Sequence, residues 1–128
     1  MTKLYEGLAI SLDLFQITVS FYITEHPEEL LRKEFPHVDS WGTETDGMVF
    51  WSKEENTGGV CIVFKQPLCL EIIMHECIHA ANQIIESRHL ICENDELHAY
   101  LASYLFKEFL QFFKIKTEIS KLPAKKRK

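Results

Sequence analysis

One stretch decides the fold of this chain: residues 68–86, which read LCLEIIMHECIHAANQIIE. The stretch is apolar nearly all round, holds no Gly or Pro, and is far longer than the usual strand of about 3–10 residues. These properties predict a buried α-helix. Its polar exceptions include Glu71, His75, Glu76 and His79. Burying such groups is costly unless each finds a partner, so the helix is expected to carry more than a packing role.

The four polar positions contain the motif H-E-x-x-H, formed by His75, Glu76 and His79. Residues four apart on a helix lie on one face, one turn above the other, so two imidazole nitrogens can reach one metal ion. Glu76 is turned by about 100° from His75 and lies beside the metal, where a carboxylate can take a proton from a metal-bound water. The alternative reading is a pair of hydrogen-bonded core histidines.

The preceding segments predict a small sheet. Residues 10–24 alternate apolar and polar side chains with a period of two, which predicts one half-buried strand. Pro27 suits the first turn of a helix that ends before Pro36. Residues 48–51 and 60–64 then predict two strands, the second apolar enough to be buried on both faces. They flank hairpin-turn residues, Asn56, Gly58 and Gly59.

A last helix is predicted from Asn94 or Asp95 to about Lys114, since either residue can cap it. The element order is strand, helix, two strands and two helices. It favours an α+β domain spanning residues 1–120, with a short, mostly antiparallel sheet on one side and two long helices on the other. The aromatic cluster of that last helix is expected in the core or at an interface, where a homo-oligomer could form: Phe106, Phe109, Phe112 and Phe113.

Composition and charge exclude several classes of protein. The 128 residues are 46% hydrophobic and 26% charged, and no apolar run reaches the ~18 residues of a membrane span. Residues 1–120 hold 9 Lys and Arg against 19 Asp and Glu, which argues against nucleic acid as a partner.

The basic residues 121–128 predict a disordered tail. Four cysteines without an export signal predict reduced thiols in the cytoplasm.

Zinc in a catalytic site takes three protein ligands and leaves the fourth position open. The candidates for the third ligand are His89, Cys92, Glu93, Asp95, Glu96 and His98. Glu96 is the favoured one. It lies 17 residues after His79, which leaves room for a loop and the start of a return helix. Glu93 is the runner-up, and His98 is a weaker rival because a single histidine at this offset is more often structural. Tyr100, one turn after Glu96, can hydrogen-bond a ligand histidine or a substrate carbonyl.

The motif and a later segment of the chain together resemble a known pattern. Residues 75–79, followed by ENDELHAYL at 93–101, are similar to the gluzincin pattern of zinc metallopeptidases. More closely, they resemble a family of small phage-encoded metallopeptidases with H-E-x-x-H and a later D-E-x-x-A-Y-L segment. The resemblance covers about residues 15–113 and includes Gly59. The second motif is its more specific half.

The resemblance implies a zincin-like domain, in which an H-E-x-x-H helix and a glutamate-bearing helix pack on the sheet. It assigns His75, His79 and Glu96 as zinc ligands, Glu76 as general base and Tyr100 as a neighbour of the ligands. Larger gluzincins often carry an aspartate four residues after the ligand glutamate, where this chain has Tyr100. A phage origin would place the protein in the cytoplasm of the host cell.

These observations predict a zinc-dependent peptidase that acts on a small, extended or unfolded peptide substrate. A chain of 128 residues leaves little mass for substrate pockets. The strand at 60–64 is the best placed to align an extended substrate, as an edge strand does in zincins. The alternative is a plain core strand. Two alternatives are a zinc-binding interaction protein without activity, for example a host-interaction factor, and a helical module whose motif is accidental. Two histidines and a carboxylate can also hold non-haem iron.

Overall fold

The computed structural model describes residues 5–38, 41–42, 45–53, 59–88 and 96–115. The predicted hairpin turn, the predicted caps Asn94 and Asp95, and the basic tail fall wholly or mostly outside these ranges. The described elements are, in chain order, β1 (Glu6–Leu12), a 3-10 turn (Asp13–Phe15), β2 (Ile17–Thr24), α1 (Pro27–Glu34), β3 (Gly47–Trp51), β4 (Gly59–Lys65), α2 (Leu70–Ser87) and α3 (Glu96–Phe112).

The strands form one mixed sheet in the order β1-β2-β4-β3. β1 pairs with β2 and β3 pairs with β4 in antiparallel fashion, whereas the central pair of β2 and β4 is parallel. The predicted α+β class is confirmed, with three helices around a small sheet. Antiparallel pairing dominates, as predicted, but the parallel pair in the middle makes the sheet mixed.

The single strand predicted over residues 10–24 is wrong. The chain turns back at the 3-10 turn, where the backbone N–H of Gln16 donates to the carbonyl of Asp13 at 3.1 Å. Gln16 adopts the left-handed conformation, with φ 54°. Glycine and asparagine are the usual residues in that conformation, and position 16 holds neither. The one available signal was Asp13, since aspartate is common at the first position of a turn. The period of two is confirmed within β2, where Ile17, Val19, Phe21 and Ile23 are buried.

Strand β4 is buried on both faces, as predicted. Val60, Ile62 and Phe64 join the core beneath α2 and α3. Cys61 and Val63 face the other way and pack with residues of α1. Helix α1 therefore covers the sheet face opposite the two long helices, and the described fold has three layers where the sequence predicted two.

The prediction of an all-round buried α2 is also wrong. One side of the helix packs on the sheet and another packs on α3, which leaves a third side open to solvent. The open side carries Glu71, His75, Ile78, His79 and Glu86. Of the four ionisable residues noted above, Glu76 alone is buried, with 8% of its surface exposed. Because burial is costly for a polar group without a partner, Glu76 needs a partner and the exposed histidines do not.

The aromatic cluster of α3 is divided between core and surface. Phe109 is fully buried, and its ring centre lies 5.2 Å from that of Phe21 and 4.9 Å from that of Phe64. Phe112, three residues later, is 54% exposed. Within the described ranges, no helix combines the length and the apolarity needed to cross a bilayer.

Truncating the two phenylalanines should therefore change the free energy of unfolding by very different amounts. Phe109→Ala removes a ring that ties α3 to β2 and β4, and it should lower the free energy of unfolding by about 3–5 kcal/mol. Phe112→Ala is the matched control on the same helix and should change it by less than about 0.5 kcal/mol. Urea denaturation followed by circular dichroism measures both. Equal losses would mean that α3 does not pack on the sheet through Phe109.

Candidate metal centre

The two histidines of the motif lie together on the open side of α2. Their Nε2 atoms are 3.0 Å apart, and their ring centres are 4.5 Å apart with planes at 83°. At that distance one Nε2 carries a proton and donates a hydrogen bond to the lone pair of the other. The one-turn spacing brings the two nitrogens together at the surface, as the motif predicts.

The separation of these nitrogens fits a metal chelate. Zinc binds imidazole nitrogen at about 2.0–2.1 Å in tetrahedral geometry, which puts two such nitrogens about 3.3 Å apart. The Nε2 atoms of His75 and His79 are within a few tenths of an ångström of that separation. Two imidazoles are also a donor set that zinc favours. The pair can therefore hold one divalent cation between the two rings after a small adjustment.

Glu76 extends inward, between α2 and β3. A Cβ atom placed on Gly47, the first residue of β3, would lie 2.7 Å from the Glu76 Cγ, so the side chain passes directly over this glycine. Burial raises the pKa of Glu76 above its ordinary value, and the nearby His75 and His79 partly offset the rise. A carboxylate whose pKa is raised toward neutrality is suited to accept and return a proton.

The structure does not bring a third predicted ligand to this pair. Glu96 is the first residue of α3 and is exposed, and Tyr100 is 72% exposed on the same helix. Across the described ranges, no three His, Cys, Asp or Glu side chains converge on one metal position. Glu93 and three other candidates, His89, Cys92 and Asp95, lie outside those ranges. Glu96 as third ligand and Tyr100 as its neighbour remain predictions.

One contact near the pair was not predicted. Nδ1 of His98 lies 2.6 Å from Oδ1 of Asn82. Because an amide oxygen can only accept, the imidazole donates. Asn82 follows His79 by three residues and lies on the same side of α2, so this bond ties the first turn of α3 beside the histidine pair. The available signal was Asn82 itself, since asparagine is an unfavourable residue in the interior of a helix.

Cys77 shares the motif but points into the core. It is fully buried, and desolvation raises its pKa to about 12. Cys61 is buried on the other face of the sheet, and its pKa is likewise raised to about 12. Metal ligation requires the thiolate, so neither side chain belongs to the candidate centre. Cys69 is an exposed free thiol just before α2.

No protein-family model, no curated protein and no solved structure matches this chain. The zincin-like fold therefore remains a prediction. The case for function depends on the geometry of His75, His79 and Glu76.

The buried carboxylate should weaken the fold at neutral pH. Because the pKa of Glu76 is raised above 4.5 in the folded protein, its ionisation favours the unfolded chain. The associated stability is complete below about pH 4.5 and is lost as the pH rises through the folded pKa. We therefore expect metal-free Glu76→Gln to be more stable than the wild type at pH 7, with an advantage that disappears near pH 4.

Urea denaturation across this pH range, with a chelator present, measures the difference. Glu86→Gln is the control, since Glu86 lies exposed on the same helix, and its effect should be small throughout. A Glu76→Gln protein less stable than the wild type at pH 7 would contradict the assignment of Glu76 as a carboxylate destabilised by burial.

Proposed function

We propose that this protein is a zinc-dependent peptidase. The observation that supports the proposal most strongly is the 3.0 Å approach of the two Nε2 atoms, with a buried carboxylate on the adjacent position of the same helix. His75 and His79 are two ligands in this proposal, and Glu96 supplies the third from the start of α3. A zinc ion held by these residues would polarise a scissile carbonyl and lower the pKa of a bound water molecule.

Glu76 is the general base. Its carboxylate accepts a proton from the attacking water and later delivers that proton to the leaving amine. A raised pKa suits the second step as much as the first, because the protonated form must exist long enough to act as an acid. Tyr100, exposed one turn after Glu96, is proposed to hydrogen-bond the substrate carbonyl or a ligand histidine.

The strand that aligns the substrate must be β3 and not the strand predicted at 60–64. β4 lies between β2 and β3, so both of its edges are already paired. β3 pairs with β4 alone in the described part of the chain. Glu76 lies over the face of this outer strand at Gly47, because a Cβ atom on that glycine would lie 2.7 Å from the Glu76 Cγ. An extended peptide can add to the outer edge of β3 through backbone hydrogen bonds.

The direction of the β3 backbone follows from two hydrogen bonds. The N–H of Lys65 donates to the carbonyl of Asp46, and the N–H of Ser52 donates to the carbonyl of Gly59. Since antiparallel pairs alternate, the even-numbered residues of β3 bond to β4 and the odd-numbered residues face outward. His37 confirms this, because its Nε2 lies 2.9 Å from the outward carbonyl of Trp51. Gly47 and Val49 therefore direct their backbone groups away from β4.

Zinc content and peptide cleavage together test the proposal. Protein purified without added metal should hold about one zinc per chain. His75→Ala and Glu96→Ala should both lose it, whereas Glu76→Gln should keep it and lose cleavage of an unfolded protein by at least about 10²-fold. His26→Ala is the matched control, because His26 is exposed near α1, distant in sequence from the motif.

Three results that differ from these expectations would each lead to a different conclusion. A wild type without zinc, even after zinc is supplied, contradicts the metal centre. Zinc retained by Glu96→Ala removes Glu96 from the ligand set. One zinc per chain without cleavage of any tested peptide replaces the peptidase with a zinc-binding interaction protein.

A further inference from the structure

Glycine at position 47 leaves the space through which the Glu76 side chain passes. A Cβ atom on Gly47 would lie 2.7 Å from Cγ and 3.2 Å from Cδ of Glu76. It would also lie 3.1 Å from Cγ2 of Ile72. Carbon atoms in ordinary contact are about 3.5–4.0 Å apart. A larger residue at position 47 must therefore displace the side chain that carries the carboxylate.

Backbone conformation does not explain this glycine. Gly47 has no left-handed φ, so alanine could adopt its conformation without strain. Gly7, on the opposite outer strand β1, provides a comparison, because a Cβ atom there would meet its nearest neighbours at 3.5 Å. A glycine inside a strand weakens it and often marks the close approach of another group. At position 47 the approaching group is Glu76.

Gly47 also belongs to the outer strand β3, so its contact with Glu76 brings the carboxylate close to this strand. The Glu76 side chain lies close to the backbone of Gly47, since a Cβ atom on that glycine would lie 2.7 Å from Cγ and 3.2 Å from Cδ of Glu76. A residue that moved Glu76 would change its distance from any peptide paired to the outer edge of β3. Misplacement by about 1 Å can lower a rate by about 10²-fold.

We propose that Gly47 is a positioning residue for Glu76. Its missing side chain allows the carboxylate to be held between α2 and the outer edge of β3. The packing part of this inference stands on the contacts alone, and its catalytic consequence rests on the proposed function. Two measurements therefore test it, and the first needs neither metal nor activity.

The first measurement is a double-mutant cycle on folding stability. Gly47→Ala in the wild type should lower the folding equilibrium constant by at least about tenfold, because the new methyl group collides with Glu76. In a Glu76→Ala background the same change should have an effect of less than about threefold, because Cγ and Cδ are gone and the Ile72 side chain can shift into the space they leave. Gly7→Ala is the matched control and should raise the constant about two- to fivefold.

The second measurement compares zinc affinity with turnover at a temperature where every variant is fully folded. Gly47→Ala should bind zinc within about threefold of the wild type, since His75 and His79 are untouched. Its kcat should fall at least about tenfold with a smaller change in KM, because the proton acceptor is displaced. A residue that only supported the fold would leave kcat unchanged under these conditions. Gly7→Ala should match the wild type in zinc affinity, kcat and KM.

The outcomes separate the two proposals. A Gly47→Ala effect on stability that persists in the Glu76→Ala background overturns the positioning role, as does an unchanged kcat despite clear coupling. A wild type that neither binds zinc nor cleaves peptide overturns the proposed function. In that case the cycle alone decides whether Gly47 fixes the Glu76 side chain.

Discussion

The burial of β4 on both faces is the constraint on which the rest of this structure depends. A strand with apolar side chains on both sides must be covered twice. Helix α1 covers the face of Cys61 and Val63, and the α2–α3 pair covers the face of Val60, Ile62 and Phe64. With β2 on one side of β4, β3 becomes an outer strand of the sheet.

The position of α2 follows from that arrangement and creates the candidate site. Its buried side packs on the sheet through residues such as Ile73 and Ala80, and its open side carries His75 and His79. Glu76 lies between these two sides and reaches the end of β3. One helix thus places the histidine pair in solvent and the Glu76 carboxylate under partial cover. The raised pKa of Glu76 is a consequence of that cover and is offset in part by the histidines.

Much of the fold was predictable because its signals are local. The period of two in β2, the doubly apolar β4 and the prolines around α1 each act within a few residues. The turn at Gln16 was missed because its left-handed conformation is held by no typical turn residue. The exposure of one side of α2 was missed because composition does not say how many neighbours a helix has. Ile78 is 46% exposed although its residue type is among the most buried.

The candidate site was likewise predictable only where its signals are local. The motif predicted the convergence of His75 and His79, because that contact depends on helix geometry alone. Whether Glu96 can act as the proposed third ligand depends on how α3 returns to α2, which no local pattern encodes. The contact between Glu76 and Gly47 joins residues far apart in sequence, so it too could be found only in three dimensions. The same holds for the choice of β3 over β4 as the outer strand.

The central claim is that His75 and His79 hold one metal ion through their Nε2 atoms. Nitrogen-15 NMR of the imidazole rings during a zinc titration of the metal-free protein tests it most directly. We expect the Nε2 signals of both residues to move together and to stop moving at about one equivalent of zinc. The signals of His26 and His37 should stay in place. Nε2 signals of His75 and His79 that do not respond to zinc would contradict the claim.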